Sequence, residues 1–260
     1  MNRTVLVTGA SRGIGRAIAS AFAAEGDRLI ITCSRSEQEL LNFKKELEET
    51  FHTEVLASVG DISSFEYVEQ LFEQITERFG GVDVLINNAG ISYIGLLTDM
   101  SIDDWNRIVS TNLTSVFSTS RLAIPHMVHE KKGKIINISS VWGIAGASCE
   151  VAYSATKSGI HGLTRALAKE LAPSNIQVNA IAWDEEAGGG ADGDLTTLSA
   201  DVLNQSEGQV SEYYGISAMQ EVVKRGVGFS GIWFDLLIML LFAALLYLAN
   251  VLALKNVRRT

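Results

Sequence analysis

Short apolar stretches and longer amphipathic stretches alternate over the first 182 residues. The apolar stretches are rich in β-branched side chains and read TVLVTG, RLIITCS, EVLASVG, VDVLINNAG, KIINISS and IQVNAIA. The segments between them, such as RAIASAFAAEG and EQELLNFKKELEETF, repeat apolar residues at helical spacing. Apolar strands separated by helices are typical of a parallel sheet that is covered on both faces. The pattern predicts a doubly wound α/β domain with six strands over residues 1–182.

The pattern changes after Ala182. Residues 183–221 contain nine acidic side chains and no basic one, and they are rich in glycine. Such a composition favours a flexible linker, which we assign to residues 183–232. An acidic stretch also raises the question of a calcium site. However, Asp192, Asp194 and their neighbours do not match an EF-hand loop, whose twelfth position is a glutamate, so we predict no metal site.

A long apolar segment of a different kind follows near the C-terminus. Residues 236–254 carry no charge, and a helix of this length would span about 28 Å at roughly 1.5 Å per residue. The hydrocarbon core of a bilayer is about 30 Å thick. Trp233 precedes the segment and the basic tail KNVRRT follows it, as interfacial anchoring predicts. The alternative is a buried core helix, which normally keeps one polar face. We therefore predict a transmembrane helix within residues 233–260.

Charge and cysteine content narrow the possible partners. The net charge is -9 at pH 7, and no basic stripe marks residues 1–182, so nucleic-acid binding is not predicted. The two cysteines, Cys33 and Cys149, lack metal-ligand or redox spacing, which makes a reducing compartment the default. The N-terminus reads as a first strand and not as a secretory signal. We therefore expect a cytoplasmic domain.

The first predicted strand-to-helix turn carries TGASRGIG at residues 8–15. Glycines allow the backbone to approach a pyrophosphate, and the helix N-terminus offers N–H groups with partial positive charge. The alternative is a simple turn, but its position between strand and helix favours a nucleotide site. The second strand ends in TCSR, without the acidic residue that would bind the ribose hydroxyls of NAD. Arg35 and Arg12 are suited to a 2′-phosphate, which predicts NADPH; the alternative is that both are solvated surface residues.

Tyr153 and Lys157 lie four residues apart at the start of a predicted helix. They share one helical face, so the lysine ammonium can stabilise the phenolate and suit the tyrosine to proton transfer near neutral pH. Ser140, at the end of KIINISS, supplies a hydroxyl for a substrate carbonyl at a strand end, where open α/β sheets bind ligands. The alternative interpretation of the Tyr153 and Lys157 spacing is an ordinary amphipathic helix.

These motifs resemble the short-chain dehydrogenase/reductase family, particularly its 3-oxoacyl-[acyl-carrier-protein] reductase branch, over residues 3–182. The resemblance rests on TGASRGIG, Asp61 in GDI, the NNAG run that ends at Gly90, Asn112, Ser140 and the pair Tyr153 and Lys157. It implies a Rossmann-type sheet, NADPH as cofactor and reduction of a small-molecule or carrier-bound acyl substrate, as in fatty acid biosynthesis.

The resemblance also implies residue roles. Tyr153 would protonate the substrate oxygen, and Lys157 would bind the nicotinamide ribose and tune Tyr153. Ser140, which the family spacing selects over Ser139, would orient the carbonyl. Asn112 would support a proton relay. The implied cofactor-binding residues are Gly9, Ser11, Arg12, Gly13, Ile14, Gly15, Ser34, Arg35, Asp61, Asn88, Ala89, Gly90, Tyr153 and Lys157. Considered alone, each of two residues has an alternative structural role. Asn112 would satisfy backbone hydrogen-bonding groups of a kinked helix, and Asp61 would cap the helix that follows it.

The family pattern ends after VNAIA. The Pro-Gly that usually follows, the threonine that contacts the nicotinamide, the covering helices and the final strand are not recognisable. We therefore expect a sheet truncated after its sixth strand. Family members form dimers or tetramers through two helices, here 112–130 and 153–171, which implies a homo-oligomer.

The segment 213–260 resembles the C-terminus of an ABC-2-type transporter permease. Two interpretations of the whole chain stay open. One is an active reductase, held on the cytoplasmic face of the membrane by residues 236–254. The other is an inactive fusion or truncation product that joins a reductase fragment to a permease terminus, with an exposed sheet edge.

Overall fold

The computed structural model describes residues 2–183 and 212–214. Within these ranges seven strands form one sheet. The strands, β1 to β7, are Thr4–Val7, Arg28–Cys33, Val55–Val59, Val84–Asn87, Gly133–Ser140, Ile176–Trp183 and Glu212–Tyr214. Their order is β3-β2-β1-β4-β5-β6-β7, and each neighbouring pair is parallel. The chain winds outwards on either side of β1 and β4, so the predicted Rossmann-type architecture is confirmed.

Helices connect the strands. The α-helices, α1 to α7, are Gly13–Ala24, Glu37–Phe51, Phe65–Phe79, Ile102–Val109, Ser115–Glu130, Trp142–Ala145 and Val151–Leu171. Short 3-10 turns cover Leu97–Asp99 and Ala172–Ser174. A π turn, Ser110–Thr114, joins α4 to α5. The two helices predicted at 112–130 and 153–171 therefore appear as α5, together with part of the π turn, and as α7.

The core consists of two apolar clusters, one on each face of the sheet. Val5 of β1 packs in the cluster that contains Phe22 of α1 and Phe43 of α2. Leu6, its neighbour in the chain, packs in the cluster that contains Leu71 of α3 and also residues of α5 and α7. Successive side chains of a strand point to opposite faces, so a strand covered on both faces carries apolar residues at consecutive positions.

The prediction of a sheet truncated after its sixth strand is wrong. β6 continues to Trp183, one residue beyond the predicted boundary. β7 then pairs in parallel with Ala180, Ile181 and Ala182 of β6. A three-residue strand within an acidic, glycine-rich sequence is too short to show a strand pattern. The edge of β6 that the sequence predicted to be exposed is therefore paired at Ala180, Ile181 and Ala182.

Several predictions concern residues outside the described ranges. These are the transmembrane helix at 236–254, the linker predicted at 183–232 apart from Trp183 and Glu212–Tyr214, which lie in strands, and the permease-like segment 213–260 apart from Tyr213 and Tyr214. Within residues 2–183 and 212–214, no helix has the length and hydropathy needed to cross a bilayer.

Candidate active site

The glycine-rich turn lies between β1 and α1 and is pressed against the segment that follows β4. Gly9 has a φ of +67°, a left-handed conformation that favours glycine. A Cβ on Gly9 would lie 2.9 Å from the Cα of Ala89. A Cβ on Gly15 would lie 2.4 Å from the carbonyl oxygen of Gly9. Both positions therefore require glycine for this close packing of backbone on backbone.

Hydrogen bonds lock this turn to the NNAG segment. The Thr8 hydroxyl accepts from the backbone N–H groups of Asn88 and Ala89, both at 3.0 Å. The side-chain amide of Asn88 donates to the carbonyl oxygens of Thr8 and Gly9 at 2.9 and 3.0 Å. The ends of β1 and β4 are thus held together, and Asn88 positions the turn through its own amide.

The amino end of α1 can receive an anion. Arg12 occupies its N-cap position, and the Arg12 side chain forms no capping hydrogen bond. The first turn also contains no acidic residue. The first amide groups of a helix have no partner within the helix and carry a partial positive charge. Together with the glycine contacts, this end of the helix fits a phosphate group.

The residues predicted to bind the part of the nucleotide beyond the pyrophosphate lie along the same edge of the sheet, after β2 and β3. Ser34 and Arg35 are exposed, and neither Arg35 nor Arg12 forms an ion pair within the described ranges. Asp61 is also exposed and accepts from the Ser63 backbone N–H at 2.9 Å. Ser64 caps α3 by accepting from the Tyr67 N–H, so the alternative role of Asp61 as that cap is wrong.

Lys157 is the buried cation of the site. Its side chain comes from α7, the residue is 4% exposed, and Nζ donates to the Ile138 carbonyl oxygen at 2.8 Å. Nζ lies 5.5 Å from the centre of the Tyr153 ring. Burial lowers the pKa of Lys157 from its ordinary 10.5 to about 8, because desolvation disfavours the charged form. The ammonium and the phenol predicted to act together therefore lie side by side.

Asn112 joins three parts of the site and is fully buried. Its carboxamide accepts from the Ile91 N–H at 2.8 Å and donates to the Ile91 carbonyl oxygen at 2.8 Å. It also donates to the Thr156 hydroxyl at 3.3 Å, and Thr156 donates to the Tyr153 carbonyl oxygen at 2.8 Å. Asn112 lies in the π turn, a distortion that often occurs at functional sites. Its side chain thus ties the wall after β4 to the start of α7.

The two serines at the end of β5 have different surroundings. Ser139 donates to the Lys157 carbonyl oxygen at 3.2 Å, and its Oγ lies 3.0 Å from Nε2 of His161. Ser140 accepts from the Trp142 backbone N–H at 3.2 Å. A hydroxyl has one proton to donate besides its acceptor capacity, so Ser140 can still donate to a ligand oxygen.

These groups border one cleft of about 500 Å³. The predicted site residues that line it are Ile14, Asn88, Gly90, Ser140, Tyr153 and Lys157. Asn112 lies directly behind Gly90, because a Cβ on Gly90 would be 3.5 Å from the Asn112 Oδ1 and 3.6 Å from the Lys157 Nζ. The other predicted residues shape the turn or lie further along the sheet edge, namely Gly9, Ser11, Arg12, Gly13, Gly15, Ser34, Arg35, Asp61 and Ala89.

Sequence reasoning missed part of the lining. Ile91, Ser92 and Ile94 follow the NNAG run, and Trp142 and Glu150 lie between β5 and α7. None of them belongs to a motif with its own chemistry. Their nearness in the chain to Gly90, Ser140 and Tyr153 was the available signal, since loops at the carboxyl ends of the strands form the binding crevice in such sheets.

The buried lysine predicts how stability depends on pH. Between pH 8 and 10.5 the unfolded chain binds more protons at Lys157 than the folded protein, so the free energy of unfolding rises with pH. The slope is at most about 1.4 kcal/mol per pH unit. Lys157→Met should remove this rise, whereas Lys45→Met, at an exposed lysine of α2, should keep it. Urea unfolding across this pH range measures both, and identical slopes for the two variants would contradict the assignment.

Comparison with known proteins agrees with this geometry. The profile of the family described as short chain dehydrogenase matches residues 3–184. A 3-oxoacyl-[acyl-carrier-protein] reductase of Thermotoga maritima is 37% identical over 180 residues, which are 69% of this chain and 72% of that relative. The corresponding reductase of Aquifex aeolicus is 38% identical over 200 residues, 77% of this chain and 78% of the relative.

A solved structure is similar as well. The crystal structure of a metagenomic short-chain oxidoreductase in complex with NADP superposes with a TM-score of 0.75 at 31% sequence identity, covering 82% of this chain and 96% of the other. The family match ends at residue 184, so it gives no support to the permease resemblance of residues 213–260. From the match over residues 3–184 and the two reductases at 37% and 38% identity, we conclude that the chain belongs to the short chain dehydrogenase family of oxidoreductases.

Proposed function

We propose that this protein is an NADPH-dependent carbonyl reductase that acts on 3-oxoacyl thioesters. The observation that carries the proposal is the arrangement of Ser140, Tyr153 and Lys157 along one cleft that also reaches Ile14 of the glycine-rich turn. The names of the two bacterial relatives support the substrate class, and the NADP complex of the similar structure supports the cofactor.

The residues of the turn fit a dinucleotide phosphate. A side chain on Gly9 or Gly15 would meet backbone atoms at 2.9 or 2.4 Å, and α1 presents an amino end without a side-chain cap. The exposed guanidinium groups of Arg12 and Arg35 are suited to the 2′-phosphate that distinguishes NADPH from NADH. NADPH, when bound, supplies the hydride for the carbonyl carbon.

The chain's own residues then hold the substrate oxygen and protonate it. Ser140 donates a hydrogen bond to that oxygen and fixes its direction. Tyr153 transfers its hydroxyl proton to the oxygen as negative charge develops there. The buried ammonium of Lys157 stabilises the resulting tyrosinate, since opposite charges attract strongly where water is excluded. The side chain of Asn112 is hydrogen-bonded to Ile91, in the segment after β4, and to Thr156, near the start of α7, and so holds these two segments together.

The direct test is NADPH oxidation by the purified full-length chain. We expect the nucleotide absorbance to fall when acetoacetyl-coenzyme A is added, because the oxygen of its 3-oxo group can accept hydrogen bonds from the hydroxyl groups of Ser140 and Tyr153, which line the same cleft. No oxidation with thioesters of short or long 3-oxoacyl chains would contradict the proposed activity.

The proposed cofactor preference has its own prediction. Arg35→Ala should raise the Kd for NADPH about tenfold or more and leave the Kd for NADH nearly unchanged, because a charge-assisted phosphate contact contributes about 1.5–3 kcal/mol. Calorimetric titration of each nucleotide measures this. Arg78→Ala, at the far end of α3, is the matched control. An equal change for both nucleotides, or no change for NADPH, would show that Arg35 does not read the phosphate.

The proposal includes self-association through α5 and α7. Phe117 and Val128 of α5 are 49% and 40% exposed, and Val151 at the start of α7 is 44% exposed. Large apolar side chains exposed on these two helices favour burial against a second copy. A cytoplasmic location and attachment to the membrane through residues 236–254 stay predictions from the sequence.

A further inference from the structure

Glu150 brings a carboxylate into the proposed substrate cleft. Much of the lining around it is apolar, with Ile91, Ile94, Val141 and Trp142. Among the described residues that line the cleft, Glu150 and Lys157 are the charged ones. A carboxylate in such a place changes which substrates can enter, because charges interact more strongly near low-dielectric walls than in open water.

The carboxylate is held in place by the opposite wall. Its Oε2 accepts from the Ser92 hydroxyl at 3.1 Å, which connects the segment after β4 to the residue that precedes α7. A second bond next to it, from the Gly95 N–H to the Cys149 carbonyl oxygen at 2.8 Å, joins the same two segments. The first bond holds the partly exposed carboxylate of Glu150, and the second holds the backbone of the preceding residue against the same segment.

No cation neutralises Glu150 by an ion pair in the described part of the chain. Lys157 lies in the same cleft, but its Nζ donates to the Ile138 carbonyl oxygen and lies beside the Tyr153 ring. The hydrogen bond from Ser92 is neutral and leaves the net charge of the carboxylate unchanged. A second anion that enters the cleft beside Glu150 therefore meets a negative charge without an ion-pair partner among the described residues.

We propose that Glu150 is a specificity-determining residue that selects oxo substrates with an uncharged ester or thioester group and rejects 3-oxo carboxylates. The inference rests on the proposed carbonyl reductase function. We expect repulsion between the two like charges to weaken the binding of a 3-oxo carboxylate by roughly tenfold. The apolar lining favours an uncharged acyl group for the same reason that it disfavours a second carboxylate.

The test compares acetoacetate with its ethyl ester, which share the reacting carbonyl and differ in charge. Glu150→Gln removes the charge and keeps the shape and the bond to Ser92, and Glu73→Gln on the exposed side of α3 is the matched control. We expect Glu150→Gln to lower the Kd and raise kcat/KM for acetoacetate about tenfold, with less than twofold change for the ester. Trp142 lines the cleft, so tryptophan fluorescence measures the Kd without turnover.

The outcomes separate the inference from the proposed function. Discrimination in binding that Glu150→Gln abolishes, without NADPH oxidation in any variant, supports the role of Glu150 and contradicts the reductase activity. Equal effects of Glu150→Gln on both compounds, equal binding of both by the native chain, or binding of neither overturns the role of Glu150. An effect of similar size in Glu73→Gln also overturns it, since only net charge would then matter.

Discussion

Tyr153→Phe is expected to lower kcat for NADPH-dependent carbonyl reduction by about a hundredfold to ten-thousandfold. The substitution removes one oxygen and with it the proton that the substrate oxygen receives, and general acid catalysis contributes a factor of this size. The ring stays, so its contact with the Lys157 ammonium, 5.5 Å from its centre, can persist. NADPH should therefore bind to Tyr153→Phe within about threefold of its native affinity, since the glycine-rich turn that we propose binds the phosphates is unchanged.

Tyr67→Phe is the matched control for this experiment. Tyr67 lies in α3 and does not line the cleft, and its hydroxyl donates to the Ser58 hydroxyl of β3 at 2.9 Å. Its loss should lower the free energy of unfolding by about 1 kcal/mol and leave turnover intact. Steady-state rates and nucleotide binding are measured for both variants. Turnover by Tyr153→Phe within tenfold of the native rate would mean that another group supplies the proton.

The second large effect is expected at Gly15. A methyl group there would lie 2.4 Å from the Gly9 carbonyl oxygen and 2.5 Å from the Asn88 side-chain nitrogen, so the turn has to move. Because the Asn88 side-chain amide donates a hydrogen bond to the Gly9 carbonyl oxygen, the shift would disturb both the turn and the NNAG segment, which are the two walls of the proposed nucleotide site. Gly15→Ala should weaken NADPH binding by about a hundredfold and destabilise the fold by about 1–3 kcal/mol.

Gly162→Ala tests whether the effect is specific to the turn. A Cβ on Gly162, within α7, meets no atom within 4 Å. This variant should bind NADPH normally and gain up to about 1 kcal/mol in stability, because alanine is the better helix former. Calorimetric titration and urea unfolding measure both variants. Native-like NADPH affinity in a folded Gly15→Ala protein would contradict the proposed role of the turn.

The sheet could be predicted because both of its faces are covered. Val5, Leu6 and Val7 of β1 alternate between two apolar clusters, so three consecutive apolar residues in the sequence indicate a buried strand. The strand after residue 183 could not be found in the same way. Glu212–Tyr214 is three residues long, and its pairing with β6 depends on a contact across an acidic, glycine-rich segment. Such a contact leaves no local pattern.

The candidate site also contains features that the sequence could predict and features that it could not. Chemistry-bearing residues within one element, such as Tyr153 and Lys157, could be paired from helical spacing. Contacts between distant segments could not. The amide of Asn88 holds the backbone of Thr8, which lies 80 residues earlier in the chain. Glu150 reaches Ser92 across 58 residues. Both depend on how loops at the carboxyl ends of separate strands meet, which side-chain type alone does not determine.

The central claim is that the glycine-rich turn, the NNAG segment and the Tyr153–Lys157 face form one nucleotide site in this chain. Calorimetric titration of the purified full-length protein with NADPH, and separately with NADH, tests it most directly. The account predicts saturable binding of NADPH, tighter than that of NADH. A folded protein that binds neither nucleotide would contradict it.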